Sequence, residues 1–241
     1  MGKVVLITGA SRGIGRQMAR DFAAAGYGVA INYANSRQAA LKLQEELAPR
    51  ARAFEADVAD EQEVRAMVQQ VYAHFGRIDV LVNNAGISRF GLLTDEREAQ
   101  WRRMFDVNVH GAYHCIREVL PAMVRQKSGV ILNISSMWGV VGASCEVCYS
   151  ATKAALIGLT KALAKETGPS GIRVNCIAPG VIDTEINAHL SGQALESLRE
   201  ETPLGRIGRP EDISAAALFL ASEQASFITG QVLGANGGFV V

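Results

Sequence analysis

The chain has 241 residues, 49% of them hydrophobic and 20% charged, with 24 Lys and Arg against 24 Asp and Glu. That length can bury a core without disulfides, and the balanced charge leaves no bulk field to attract nucleic acid or an anionic membrane. No apolar run approaches the roughly 20 residues a membrane span needs, and four cysteines with no secretory leader in MGKVVLITGA predict a protein of the reducing cytoplasm.

Short β-branched runs alternate with helical periods along the chain. KVVLIT (3–8) reads as a strand and runs into the glycine-rich TGASRGIG (8–15). A helix follows, with Ile14, Met18 and Phe22 at four-residue spacing. YGVAINY (27–33) and ARAFEA (51–56) are the next strands. Asp60 is placed to cap a helix whose apolar side carries Val64, Met67, Val71 and Phe75. IDVLV (78–82), GVILNIS (129–135) and IRVNCIA (172–178) continue the strands, and QVLGA (231–235) supplies a seventh. Tyr149 to about Thr167 reads as a helix broken by Gly168-Pro169, and 184–201 as an amphipathic helix. The strands are continuously apolar rather than alternating, which predicts a parallel sheet buried on both faces. Strict β/α alternation with no linker or repeat predicts a single Rossmann-type, doubly wound α/β domain over 1–241.

In such a sheet ligands bind beyond the carboxyl ends of the strands. The polar and glycine-rich stretches fall there: 8–15 after strand 1, Asp57 and Val58 after strand 3, NNAG (83–86) after strand 4, Ser135-Ser136 after strand 5 and PGVIDT (179–184) after strand 6. Gly9, Gly13 and Gly15 are spaced G-x-x-x-G-x-G. Glycine lets the backbone turn tightly against a pyrophosphate, whose charge meets the N-terminus of the next helix. Strand 2 ends at Asn32 and Tyr33, where an acid would select NAD by holding the ribose 2′-hydroxyl. With that acid missing and Arg12, Ser36 and Arg37 close in sequence to hold a 2′-phosphate, the expected cofactor is NADPH.

Tyr149 and Lys153 make Y-x-x-x-K, neighbours on one face of a helix. A phenol of pKa ~10 is only about one part in a thousand ionised at pH 7, and an ammonium beside it favours the phenolate. Ser135 and Ser136 point to opposite faces of their strand, so only one can reach the same site. Overlapping this pair, Cys145 and Cys148 make C-x-x-C, the spacing of a redox dithiol or half a zinc site. Zinc needs four ligands, yet Cys115 and Cys176 are isolated, and His110 and His114 lack a matching cysteine pair. No metal is expected, and both cysteines read as small apolar wall.

TGASRGIG, NNAG, Asn108, the Ser–Tyr–Lys set and PGVIDT together resemble the short-chain dehydrogenase/reductase family over the whole chain. The resemblance implies sheet order 3-2-1-4-5-6-7, a homotetramer, and hydride transfer between NAD(P) and a carbonyl or alcohol. It implies catalytic Asn108, Ser136, Tyr149 and Lys153, the thirteen-residue spacing to the tyrosine selecting Ser136. Asn108 would hold a water that leads protons to Lys153. The cofactor would lie against Gly9, Ser11, Arg12, Gly13, Ile14 and Gly15, then Asn32, Tyr33, Ser36, Asp57, Val58, Asn84, Ala85 and Gly86. At the nicotinamide end it would meet Tyr149, Lys153, Pro179, Gly180, Ile182 and Thr184. Trp138 to Cys148, with Ser144 and Cys145, would line the substrate pocket, and residues 184–208 would form a helical lid over it.

NNAGI, YSATKAALIGLTKALAKE (149–166), IRVNCIAPG (172–180) and PLGRIGRPEDI (203–213) are similar to bacterial 3-oxoacyl-[acyl-carrier-protein] reductases of that family, which act in fatty acid biosynthesis. SSMWGVVGASCEVCYS (135–150) resembles a side branch, the elongation factor P 5-aminopentanone reductases, whose carbonyl sits on a modified lysine. Acyl carrier protein and elongation factor P are therefore the two expected carriers of the substrate. A dinucleotide sensor without catalysis is the alternative of another class, and retention of Tyr149 and Lys153 argues against it.

Overall fold

A computed structural model describes residues 2–185 and 191–240. Seven parallel strands form one sheet: β1 Val4–Ile7, β2 Gly28–Tyr33, β3 Ala51–Glu55, β4 Val80–Asn83, β5 Gly129–Ile134, β6 Ile172–Pro179 and β7 Val232–Ala235. Their spatial order is β3-β2-β1-β4-β5-β6-β7, as the resemblance implies. The order reverses between β1 and β4, which opens a crevice at the carboxyl ends of those two strands.

Helices between the strands cover both faces of the sheet. Helices α1 (Gly13–Ala24), α2 (Arg37–Glu46) and α9 (Pro210–Ala221) pack Met18, Phe22, Leu43, Ile213 and Ala217 on one side. On the other, α3 (Glu61–Phe75), α5 (Gly111–Gln126) and α7 (Val147–Thr167) pack Val64, Met67, Val71, Cys115, Val119 and Leu163. Asp60 caps α3 as its sequence predicts, its carboxylate accepting the N–H groups of Gln62 and Glu63. A short helix α6 (Trp138–Val141) leads from β5 toward α7, and α8 (Gly192–Glu201) follows β6. Among the described residues no helix is long and apolar enough to cross a membrane.

The sheet departs from the expected burial at its edges. β1, β4 and β5 are buried throughout, whereas β3 alternates buried and exposed positions and β7 is only partly covered. Both are outermost strands with a neighbour on one side only, so apolar residues there lose water incompletely.

Helix α4 (Glu98–Phe105) joins α5 through a π-turn, Asp106–His110. The extra residue of a π-turn re-aims side chains that regular winding would carry elsewhere. Asn108 is in it, 1% exposed.

Candidate active site

The loop after β1 is held from behind. Gly9 takes φ +62°, a left-handed conformation that suits glycine, and its N–H donates to Asn32 Oδ1 at 3.2 Å. Thr8 Oγ1 accepts the N–H groups of Asn84 and Ala85 at 2.9 and 3.0 Å, tying the first loop to NNAG. A Cβ on Gly15 would come within 2.6 Å of both Asn84 Nδ2 and the Gly9 carbonyl. Gly15→Ala is therefore expected to cost about 1–3 kcal/mol in denaturant unfolding and to weaken NADPH binding by titration. Retention of wild-type affinity would contradict this packing.

The loop fits an anionic ligand. No side chain caps the start of α1 and its first turn carries no acid, so its leading N–H groups are left for a ligand or solvent. Across the gap, Thr184 lies 3.5 Å from where a Gly13 Cβ would be, so the 8–15 and 179–184 stretches face each other. Ser11 is buried, and Arg12 is exposed with no ion-pair partner among the described residues. Ile14 packs partly against the core. Pro179 is buried, with its carbonyl taken by Met137, and Gly180 donates to Ala235. Ile182 is 3% exposed, and its carbonyl accepts the Thr184 hydroxyl at 3.4 Å.

At the end of β2 the structure gives Asn32 a role the sequence does not announce. The residue is 1% exposed; its Oδ1 supports Gly9, and its Nδ2 donates to the Ala56 carbonyl at 3.0 Å. It braces the glycine loop, its amide spent on protein. Tyr33 is also buried and donates its hydroxyl to Glu55 at 3.1 Å, with Arg37 3.8 Å from the same carboxylate. Ser36 starts α2, half-buried. Asp57 and Val58 close the adjoining turn, and Asp57 is ion-paired with Arg103 at 2.6 Å.

The polar side chains after β4 and β5 converge on α7. Ser135 and Ser136 do point opposite ways. Ser135 Oγ donates to the Lys153 carbonyl at 2.7 Å, whereas Ser136 Oγ accepts the Trp138 N–H at 3.1 Å and hydrogen-bonds Tyr149. Lys153 Nζ is 5.5 Å from the Tyr149 ring centroid and donates to the Ile134 carbonyl at 2.8 Å. Gly86 meets this group: a Cβ there would lie 3.3 Å from Lys153 Nζ and 3.4 Å from Asn108 Oδ1. Asn108 accepts the Ile87 N–H at 2.8 Å and donates to the Ile87 carbonyl and Thr152 Oγ1 at 2.9 and 3.0 Å. Its side-chain amide is thus engaged with protein. Thr8, Thr152 and Arg103 are contributors the sequence reading passes over; Thr8 opens the glycine motif itself, and Thr152 precedes Lys153.

Electrostatics at this cluster differ from the simple expectation. Burial lowers the Lys153 ammonium to about 8. The Tyr149 phenol is raised, not lowered: burial pushes it up first, the Glu146 carboxylate second, and only the Ser136 hydrogen bond pulls it down. An ammonium held over the ring and bound to Ile134 does not offset those two effects. The lysine has a consequence for stability. With an ordinary pKa of 10.5, the unfolded chain binds this proton more tightly than the folded one, so stability rises as pH climbs from about 8 toward 10.5. The slope reaches at most about 1.4 kcal/mol per pH unit. Denaturant melts of wild type and Lys153→Met over this range should diverge accordingly; parallel curves would place the ammonium in a wetter site.

The expected pocket wall is split in two. Trp138 is half-buried, its ring edge-on to Phe239 at 5.7 Å, and Ser144 is exposed. Cys145 takes φ +61° and its carbonyl accepts the Gly91 N–H at 2.8 Å, stitching the 88–96 loop to the start of α7. Cys148 is buried instead, its thiol 3.8 Å from the Trp101 carbonyl of α4 and raised by burial to about 11. Among the described residues no three His, Cys, Asp or Glu side chains group as a metal site would require. Of the expected lid, 186–190 lie outside the described residues; α8 within it has no buried residue.

The chain is similar to known proteins along its length. A family profile described as enoyl-(acyl carrier protein) reductase matches residues 9–240. The 3-oxoacyl-[acyl-carrier-protein] reductase FabG of Staphylococcus aureus is 46% identical over 241 residues, covering 99% of this chain and 98% of that protein. An uncharacterized oxidoreductase of Bacillus subtilis, YmfI, is 42% identical over 243 residues and 99% of both chains. Among solved structures, ElxO with NADP bound superposes with a TM-score of 0.92 at 38% identity, over 99% of each chain.

Proposed function

The chain belongs to the short-chain dehydrogenase/reductase family, and on that footing we propose that it is an NADPH-dependent reductase converting a 3-oxoacyl group on acyl carrier protein to the 3-hydroxyacyl product. One observation carries the reading: Tyr149, hydrogen-bonded to Ser136 and backed by buried Lys153, stands at the sheet rim that also bears the glycine loop. The nicotinamide supplies the hydride when NADPH is bound. The chain supplies the proton and the polar contacts. A phenol with a raised pKa is fully protonated at neutral pH, which is the form an acid must have to give its proton to the carbonyl oxygen. The Ser136 hydroxyl donates to the same oxygen and stabilises its developing charge. Lys153 holds a positive charge close to the phenol, and with a pKa near 8 it can pass a proton on at neutral pH. Asn108, through its hold on Ile87 and Thr152, fixes the wall beside Lys153.

We further assign the 8–15 loop to the pyrophosphate, Asp57 to the adenine, Asn83 to Gly86 to the ribose side, and Ile182 and Thr184 to the carboxamide. Residues 184–208 close over the substrate. The protein is placed in the cytoplasm as a homotetramer, for which the small exposed residues Ala154, Gly158 and Ala162 of α7 offer a flat face.

The test is NADPH consumption with three carbonyls: acetoacetyl-acyl carrier protein, a small free ketone, and elongation factor P carrying the 5-aminopentanone. The highest kcat/KM is expected with the first. A preference for the modified elongation factor would move the reading to that substrate, and inactivity with all three would end it.

A further inference from the structure

We infer that Arg103 is a positioning residue for the cofactor: its guanidinium pins the Asp57 carboxylate in the orientation that accepts the adenine amino group. The inference rests on the assignment of Asp57 to the adenine.

Asp57 follows β3 on the rim of the crevice, and its two carboxylate oxygens are held from different directions. Oδ1 accepts the Ala59 N–H at 3.0 Å, and Oδ2 takes the Arg103 Nη2 donor at 2.6 Å. Held at one oxygen only, the carboxylate plane turns about its last torsion, which is broad for Asp. Held at both, it is fixed, with lone pairs left on each oxygen for a further donor. The turn carrying it is itself clamped. Glu63 accepts the Asp57 N–H at 2.8 Å, and His114 Nδ1 meets the Val58 carbonyl at 3.0 Å. Val58 packs so closely on α5 that a Cβ at Gly111 would come within 2.6 Å of it. Arg103 adds an ion pair to this clamp, and it comes from α4. That helix is secured at a second point, where the Trp101 carbonyl meets Cys148 on α7.

The pair is partly exposed, at 48% for Arg103 and 32% for Asp57, so its effect is modest and falls on binding rather than on the chemical step. Arg103→Ala is expected to raise the KM for NADPH about threefold with kcat unchanged, as loss of one half-exposed ion pair allows. With deamino-NADPH, whose hypoxanthine has no amino group to offer, wild type and variant should have equal KM. Arg103→Lys should recover most of the loss. An equal rise with both cofactors, or a fall in kcat, overturns the role. Asp57→Asn separates the two levels of the argument. If Asp57→Asn raises the KM for NADPH and for deamino-NADPH equally, the adenine assignment falls and Arg103 with it. If Asp57→Asn raises the KM for NADPH alone and Arg103→Ala does not, only the positioning role falls.

Discussion

Tyr149→Phe should reduce kcat by a factor of about 10²–10⁴ while NADPH titrates as in wild type. The phenol O–H is positioned by the Ser136 hydrogen bond and, with its pKa raised, is protonated at neutral pH. Phe keeps the ring, its packing and its place beside Lys153, so the fold and the glycine loop are untouched. The loss therefore falls on proton transfer. A variant that turned over at even a tenth of the wild-type rate would remove Tyr149 as the acid.

Ser136→Ala should lower kcat by about 10²–10³ with a small change in KM, the cost of removing one preorganised donor from a developing oxyanion. Two features of the structure make the effect specific. Ser136 Oγ is fixed by the Trp138 N–H, which leaves its own proton for Tyr149 and the substrate oxygen. It is also the single influence lowering the phenol pKa, so its loss leaves burial and Glu146 unopposed. In the oxidative direction, where the phenolate must form, the rise of kcat/KM with pH should move to higher pH in the variant. An unshifted pH profile would mean that Ser136 acts on substrate alone.

Most of the architecture is legible in the chain because burial has a short-range signature. Seven apolar runs give the seven strands nearly residue for residue, and Asp60 announces the start of α3. The positions of the glycine loop, NNAG, Ser136, Tyr149 and Lys153 follow from where strands end. What they touch does not. Asn32 sits where an acid is sought in the sequence, yet its amide is spent on Gly9 and Ala56, a contact made 23 and 24 residues away. Asn83, Asn133 and Thr160 form a buried hydrogen-bonded chain from β4 through β5 to α7. No periodicity predicts it, because Asn133 sits in an otherwise apolar run and its partners lie 50 and 27 residues away. The upward shift of Tyr149 is hidden for a similar reason. Lys153 is conspicuous at four-residue spacing, whereas the weight of burial and of Glu146 depends on how the 143–148 segment folds over the helix start. Arg52 and Glu55 already mark β3 as an edge strand in sequence, whereas β7, VLGA, looks like the central ones, since apolar content does not reveal which strand lacks a neighbour.

The central claim is direct hydride transfer from NADPH to a 3-oxoacyl carbonyl whose oxygen is protonated by Tyr149. The measurement that tests it is reduction of acetoacetyl-acyl carrier protein with NADPH deuterated at the transferred position, followed by mass analysis of the product. One deuterium on the carbon bearing the new hydroxyl is the predicted result. A reduced product without deuterium, or no reduction of this substrate at all, would contradict the account.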